Sequence, residues 1–439
     1  MMTKRTAISA VVAGVVLLLF TAGGVYNLLA DDGTTSTAAT TPESPVPVDP
    51  LTAAISAAQQ RLERVPGDYN TWAELGSAYV EQARVTADPS YYPRAEGALQ
   101  ESMTLRPEGN DVALTGLGAL ANARHDFAGA ADFARQAVAI NSYSATAHGV
   151  LTDALTQLGD YPGATAALQR MLALRPGIAS FTRASYDFEL HGDIDNARAA
   201  LEQALEGAQG LGAESFCLYY LGQLAFTNGD VDEAAKQFAA GLARAPGDPS
   251  LVLGQARVDA ALGNVDEAVN GFQSAVDARP LPENLIEFGQ YLESIGRMEE
   301  AQDQFDLVDT VRTLFEANGV ADDLGTALFA ADHGDPATAL SAAQAEYERR
   351  QNIDSSDAMG WALYSAGRYA EAMPYATAAT SIGGTNALFV YHRGMIESAL
   401  GMGDQARASL TLAMETNPNF SPLLADDAEA ALAALGGPN

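Results

Sequence analysis

Across most of the chain, apolar and small residues return at positions i, i+3, i+4 and i+7, the spacing of one helical face. Trp72, Leu75, Gly76 and Tyr79 show the pattern early, and Leu285, Phe288, Gly289 and Leu292 show it again later. A second set follows a short distance downstream, as in Ala164, Leu168 and Met171 or Ala268, Phe272 and Ala275. A phrase of the form Gly-Asp-hydrophobic-x-x-Ala separates the two sets. It reads GDYPGA at 159–164, GDIDNA at 192–197, GDVDEA at 229–234, GNVDEA at 263–268, GRMEEA at 296–301, GDPATA at 334–339 and GRYAEA at 367–372, with starts 33, 37, 34, 33, 38 and 33 residues apart. Pro176, Pro246, Pro280 and Pro418 each stand twelve residues after the alanine position, where a helix has to end. The spacing predicts stacked two-helix units, none of which can bury its apolar face alone.

The N-terminus follows a different rule. Lys4 and Arg5 precede about 25 residues without a charge, 6–30, closed by Asp31 and Asp32. That length spans a hydrocarbon core at a rise of 1.5 Å per residue. Its flanking charges predict a transmembrane signal-anchor helix, with residues 1–5 cytoplasmic and everything after residue 32 outside the cytoplasm. The competing reading is a cleaved signal peptide and a secreted protein. Leu28-Leu29-Ala30 fits the small-residue requirement of a cleavage site poorly, and Thr21-Ala22-Gly23-Gly24 fits it weakly. No cysteine follows to take a lipid. Residues 31–49, rich in Thr, Ser, Ala and Pro, lack apolar periodicity and read as a semi-extended tether. Residues 50–68 read as an N-terminal capping helix and residues 421–439 as a C-terminal one, covers that a repeat array needs at its ends.

A 34-residue unit carrying W-x-x-L-G-x-x-Y (Trp72 to Tyr79), then a Gly turn, Ala, an aromatic residue or Leu, Ala and Pro, resembles the tetratricopeptide repeat family. The resemblance covers most of residues 69–420, with units starting at 69, 111, 145, 178, 215, 249, 282, 320, 353 and 387. It implies an all-α protein: a right-handed α-solenoid of about ten antiparallel helix pairs, with the first helices lining an inner groove. Three departures stand out. The first unit has about seven extra residues around Pro89 and Pro93, the sixth places polar Gln255 and Asp259 in its first helix, and the eighth has a weak first helix around 323–330.

Members of the family bind extended peptides or protein surfaces in that groove, so the resemblance implies a protein or peptide partner. Groove-facing positions read out as Asp153 and Thr156, Thr182 and Tyr186, Tyr219, Gln223 and Phe226, Arg257, Gln290, Trp361 and Tyr364, and Tyr391, with Arg183 and Tyr220 beside them. Aromatic residues and arginine are the side chains that make strong anchors, and the candidate partner-binding set is Arg183, Tyr186, Tyr219, Tyr220, Gln223, Phe226, Arg257, Trp361, Tyr364 and Tyr391. Packing between neighbouring repeats is the alternative role for each aromatic. No lysine lies in this groove, which leaves no lysine clamp of the kind some members use on a peptide C-terminal carboxylate.

Composition narrows the partners. With 56 acidic against 24 basic residues the formal charge is −32, and Lys4 and Lys236 are the only lysines, so no basic stripe exists to displace counterions from a nucleic acid. Cys217 stands alone, which rules out an intrachain disulfide and a cysteine-built zinc site and suits a small core residue. Of the five histidines, His125, His191 and His333 fall in the turn before the phrase, where a solvated polar residue is expected, while His148 and His392 lie elsewhere. No H-E-x-x-H, G-x-S-x-G, P-loop or D-x-D-x-D-G pattern occurs, so no metal, cofactor or catalytic residue is expected. A catalytic carboxylate pair needs a dry cleft, and an open solenoid offers few. An enzyme would need a closed pocket holding several ionisable groups.

The sequence thus predicts a membrane-anchored extracytoplasmic scaffold for protein–protein interactions in an envelope assembly or biogenesis complex. Its layout is similar to anchored repeat proteins of bacterial cytochrome c maturation and envelope polysaccharide assembly. The alternative is a secreted soluble repeat protein that recognises polypeptides or glycans.

Overall fold

The computed structural model describes residues 50–437, and these form 22 α-helices and no strand. The expected anchor at 6–30 and tether at 31–49 lie outside the described residues, and no described helix is long and apolar enough to cross a membrane. A lone helix α1 (Pro50–Arg64) leads ten antiparallel pairs. The pairs are α2 (Tyr69–Thr86) with α3 (Tyr91–Leu105), α4 (Asp111–Ala123) with α5 (Phe127–Ile140), α6 (Ala145–Leu158) with α7 (Tyr161–Leu174), α8 (Ile178–Leu190) with α9 (Ile194–Glu206), and α10 (Leu211–Thr227) with α11 (Val231–Leu242). They continue with α12 (Pro249–Ala261) and α13 (Val265–Ala278), α14 (Pro282–Ser294) and α15 (Met298–Ala317), α16 (Asp323–Asp332) and α17 (Pro336–Arg349), α18 (Ile353–Ser365) and α19 (Tyr369–Ala379), and α20 (Ala387–Ala399) and α21 (Gly403–Thr416). A last helix α22 (Leu424–Ala434) covers the end. The fifth and eighth first helices start at 211 and 323, a few residues from the 215 and 320 that the repeat frame gives.

The recurring phrase is the turn inside each pair. Its glycine adopts a left-handed backbone, with φ between 73° and 82° from Gly159 to Gly367, and so ends the first helix at no Cβ penalty. The next residue caps the second helix. Asp160, Asp193, Asp230 and Asp335 each accept a hydrogen bond from the backbone N–H three residues on. Such a cap contributes about 1 kcal/mol. Where the phrase has Asn264, Arg297 or Arg368 instead, no side-chain cap bond forms. The phrase alanine is at most 1% exposed in all seven copies. Polar Gln255 and Asp259 do not break α12, because they pair with each other along one helix face.

Small residues on the first helices make room for large ones on the second. A Cβ on either Gly222 or Gly254 would strike the Phe238 ring, and one on either Gly76 or Gly116 would strike Leu99. Phe238 and Leu99 are each 0% exposed, wedged between the first helices of consecutive pairs.

The solenoid curls tightly enough to touch itself. Turns within the second to fifth pairs meet loops between pairs that follow 191 to 196 residues later. Arg124 donates from Nε to the Asn318 carbonyl at 3.1 Å, and the Ala321 N–H donates to the Arg124 carbonyl at 3.4 Å. Arg350 reaches Gln157, and the Ile353 N–H donates to the Tyr161 hydroxyl at 3.1 Å. The Gly384 N–H donates to the Leu190 carbonyl at 2.9 Å, and Asn417 Nδ2 donates to the Phe226 carbonyl at 3.1 Å. These contacts form a continuous seam between one superhelical turn and the next. The expected groove of an open solenoid is therefore absent from this stretch, and in its place the two turns enclose a chamber.

Candidate functional site

The chamber has a volume of about 560 Å³. One wall is built by α6, α8, α10, α12 and α14, which present Asp153, Arg183, Tyr186, Tyr220, Arg257 and Glu287 among others. The opposite wall comes from the following turn: the start of α18 with Asp354, the loop and first residues of α20 up to Phe389, and the stretch from Asn417 to Asp426.

Two buried ion pairs organise the first wall. Arg183 grips Asp153 with two hydrogen bonds, Nε to Oδ1 at 2.7 Å and Nη2 to Oδ2 at 2.6 Å, and the two side chains are 6% and 4% exposed. Arg257 holds Glu287 in the same bidentate way, both bonds at 2.6 Å, and its Nη1 donates to Gln223 Oε1 at 2.8 Å. Each pair bridges the first helices of neighbouring repeats, and Gln223 extends the second bridge to α10. Pairs this dry gain little net stability over apolar packing, but they fix the spacing of the helices they join.

Burial controls the remaining ionisable groups. It pushes the Glu189 carboxyl up to about 7. It raises Asp354 to about 6, against the opposing pull of Arg350. Asp153 also rises to about 6, because burial outweighs the attraction of Arg183. Burial likewise holds the Tyr186 and Tyr220 phenols above their ordinary value. Buried carboxylates are thus present in Asp153 and Asp354, contrary to the expectation from an open array. Asp187 accepts a hydrogen bond from Thr165 Oγ1 at 2.8 Å, and Asp354 accepts one from Asn352 Nδ2 at 3.2 Å.

Six of the ten sequence candidates line the chamber: Arg183, Tyr186, Tyr220, Gln223, Phe226 and Arg257. Four do not. Tyr219 leans on Phe238, ring centres 6.2 Å apart, among the residues that pack the α10–α12 core. Trp361 is 2% exposed and donates its indole N–H to Asp332 Oδ1 at 2.6 Å, with His392 stacked at 4.0 Å and Tyr364 at 4.6 Å. Tyr391, 1% exposed, is covered by Phe420 at 5.3 Å. These three aromatics form core between the ninth and tenth pairs and the terminal cap, so packing overrides the groove position that the repeat frame assigns them. Gln290, a further groove position, is 0% exposed.

Glu189 and Asp354 are wall residues that the repeat pattern does not mark. Nothing local distinguishes them from solvated acids, and only the fold brings Asp354 from the next turn. No histidine, cysteine or lysine lines the chamber. Among the described residues no group of three or more His, Cys, Asp or Glu side chains could hold a metal ion.

The geometry of helix pairs, phrase turns and alanine contacts has a counterpart in known families. Residues 183–249 and 225–284 match two models of the tetratricopeptide repeat. Over residues 183–284 the chain is similar to tetratricopeptide repeats. The matched stretch carries Arg183, Tyr186, Tyr220, Gln223 and Arg257 of the chamber's first wall. Such repeats mediate protein–protein interactions and bind protein or peptide partners. Among solved structures, a thermophilic tetratricopeptide repeat protein of Thermus thermophilus is 21% identical, covering 43% of this chain and 98% of its own, with a TM-score of 0.38. A tetratricopeptide repeat protein from Parabacteroides merdae is 17% identical over 59% of this chain and 99% of its own, TM-score 0.36. The Cut9–Hcn1 hetero-tetramer of APC/C gives 12% identity over 88% and 86%, TM-score 0.43. No curated protein matches the chain in sequence.

Proposed function

We propose that this chain is a scaffold that holds a segment of a partner polypeptide in the chamber between its two superhelical turns. The observation that carries the reading is the chamber itself: about 560 Å³, walled by aromatic rings, hydroxyls and carboxamides from both turns. That volume lies in the range of sites that take a drug-sized molecule or a short run of residues, roughly 300–1,000 Å³. A binding role suits the wall chemistry better than catalysis. Both arginines are committed to carboxylates, and no imidazole or thiol lines the chamber, which leaves the buried carboxyls, Glu189 foremost at about 7, as its proton carriers with no imidazole or thiol nucleophile beside them.

The uncharged stretch at 6–30, with Lys4 and Arg5 ahead of it, supports placing the solenoid outside the cytoplasm on a single membrane anchor, in an envelope assembly. The test uses the full-length chain as bait in detergent-solubilised membranes of its own host, beside a Tyr186→Ala/Tyr220→Ala variant. A protein retained by the first and lost from the second supports the chamber. Equal retention by both moves the binding site elsewhere. Mass spectrometry of the mature N-terminus decides the location: cleavage between residues 22 and 33 would replace the anchored scaffold with the secreted form.

A further inference from the structure

We infer that the segment held in the chamber is basic, and that one of its arginine or lysine side chains seats among Glu189, Asp354 and the rings of Tyr186 and Tyr220. This rests on the chamber being the binding site. The charge on its walls is lopsided. Six carboxylates against two arginines leave four negative charges, and no lysine or histidine lines the wall to offset them. The arginines are not free to help, since Arg183 is bound to Asp153 and Arg257 to Glu287. Arg350, which acts on Asp354 from behind the wall, is itself paired with Glu346. The excess acid therefore belongs to Asp187, Glu189, Asp354 and Asp426.

Carboxylates in a partly dry space are unfavourable unless a counter-charge arrives. Burial already holds Glu189 and Asp354 well above the ordinary carboxylate range, and a cation entering the chamber reverses that by favouring the ionised forms. An anionic segment would add to the repulsion, and a neutral one would deepen the desolvation without compensation. The rings complete the preference. Tyr186, Tyr220 and Phe226 on one turn face a space that Phe389 and Phe420 line from the other, and a guanidinium or ammonium over such faces gains a further attraction. The choice of a polypeptide over a free cation follows from the rest of the wall. Beyond the internal bonds they already make, Gln223 and Asn386 keep carboxamide N–H donors and Thr156 and Thr182 keep hydroxyl acceptor sites, groups that a peptide backbone pairs with. At long range, the −32 charge of the whole chain steers cations toward it.

The experiment titrates full-length protein at pH 8 and low salt with three capped hexapeptides that differ only at one position: arginine, citrulline, which keeps the shape without the charge, or glutamate. Calorimetry is expected to show the arginine peptide binding at least about tenfold tighter than the other two. A Glu189→Gln/Asp354→Asn variant should weaken it by about tenfold more, with its thermal unfolding no lower than that of the parent. Equal affinity for the citrulline or glutamate peptide, or unchanged affinity in the double variant, overturns the basic-segment inference. The chamber reading survives that result if Tyr220→Leu still abolishes binding. Agmatine displacing the peptide with the peptide's own affinity shows a small-cation site and overturns the polypeptide occupant. No binding by any of the three peptides overturns the inference together with the reading beneath it.

Discussion

The seam can be weighed directly, because the repeat phrase provides its own control. Gly192 and Gly367 hold the same place in the phrase and nearly the same backbone, with φ of 78° and 73°. Alanine at either meets the same left-handed penalty, on the order of 1 kcal/mol. Their surroundings differ. A Cβ at Gly192 would lie 2.6 Å from the Gly383 carbonyl oxygen across the seam, whereas one at Gly367 meets nothing within 4 Å. Relief of that clash requires two backbone segments to part, which in a packed site costs about 1–3 kcal/mol. The adjoining bond from the Gly384 N–H to the Leu190 carbonyl, 2.9 Å long, stretches with it and removes about 1 kcal/mol more. Gly192→Ala is therefore expected to lose about 3–5 kcal/mol and Gly367→Ala about 1 kcal/mol. Urea unfolding followed by far-UV circular dichroism measures both, and hydrogen exchange at the Gly384 amide reports whether the seam opens. A second matched pair, Gly229 at 2.6 Å from the Thr416 carbonyl against Gly263 in open space, guards against a local accident. Equal losses within each pair, with unchanged exchange at Gly384, would refute the seam and with it the enclosed chamber.

Three further outcomes follow from the chamber and the core. Glu189 is displaced upward from 4.5 to about 7, and Asp153 and Asp354 from 3.8 to about 6, so the folded chain binds protons more tightly than the unfolded one. The stability these groups contribute is then fully present only below about pH 4 and declines as pH rises from about 4 to 7, by an amount on the order of 3 kcal/mol for Glu189 alone. Glu189→Gln should flatten the upper part of that curve in urea titrations, and a rise in stability with pH would contradict the assignment. Arg257→Met leaves the Glu287 carboxylate buried and unpaired and should cost about 3–5 kcal/mol, while Arg257→Met/Glu287→Met should recover most of it; a double variant no better than the single one rules out a pairwise origin. The Cys217 thiol is 0% exposed and burial pushes it up to about 12, so a thiol-specific chromogenic disulfide should leave the native chain untouched and label one site in urea.

The sequence and the structure agree where the determinants are local. A glycine that must be left-handed, an aspartate that caps and an alanine that must be small sit within six consecutive residues, so the turn of each repeat can be read from the residues themselves. The same locality explains why α12 forms despite Gln255 and Asp259. The chamber is not local. It depends on a small rotation between neighbouring pairs that accumulates until residues such as Leu190 and Gly384 touch, and no residue type announces that angle. Candidate wall residues on the middle repeats were legible, because there the face opposite the packed one does look inward. Trp361 and Tyr391 were misplaced for the converse reason: near the end of the array that face meets Phe420 and the buried Asp332 rather than open space. Asp354 was invisible as a wall residue because its significance comes from the other turn.

Self-contact along the seam also changes how such a chain can vary. In an open stack each unit answers only to its neighbours, so a pair can be gained or lost with little effect on the others. Here the turns of the second to fifth pairs are matched one by one to partners 191 to 196 residues on. Inserting or deleting a single pair between Gly192 and Gly383 would bring every turn opposite the wrong loop at once, setting glycine-sized gaps against side chains that do not fit them. The number of repeats in this stretch is thereby held fixed by geometry, much as thread count is fixed in a screw that must meet its nut.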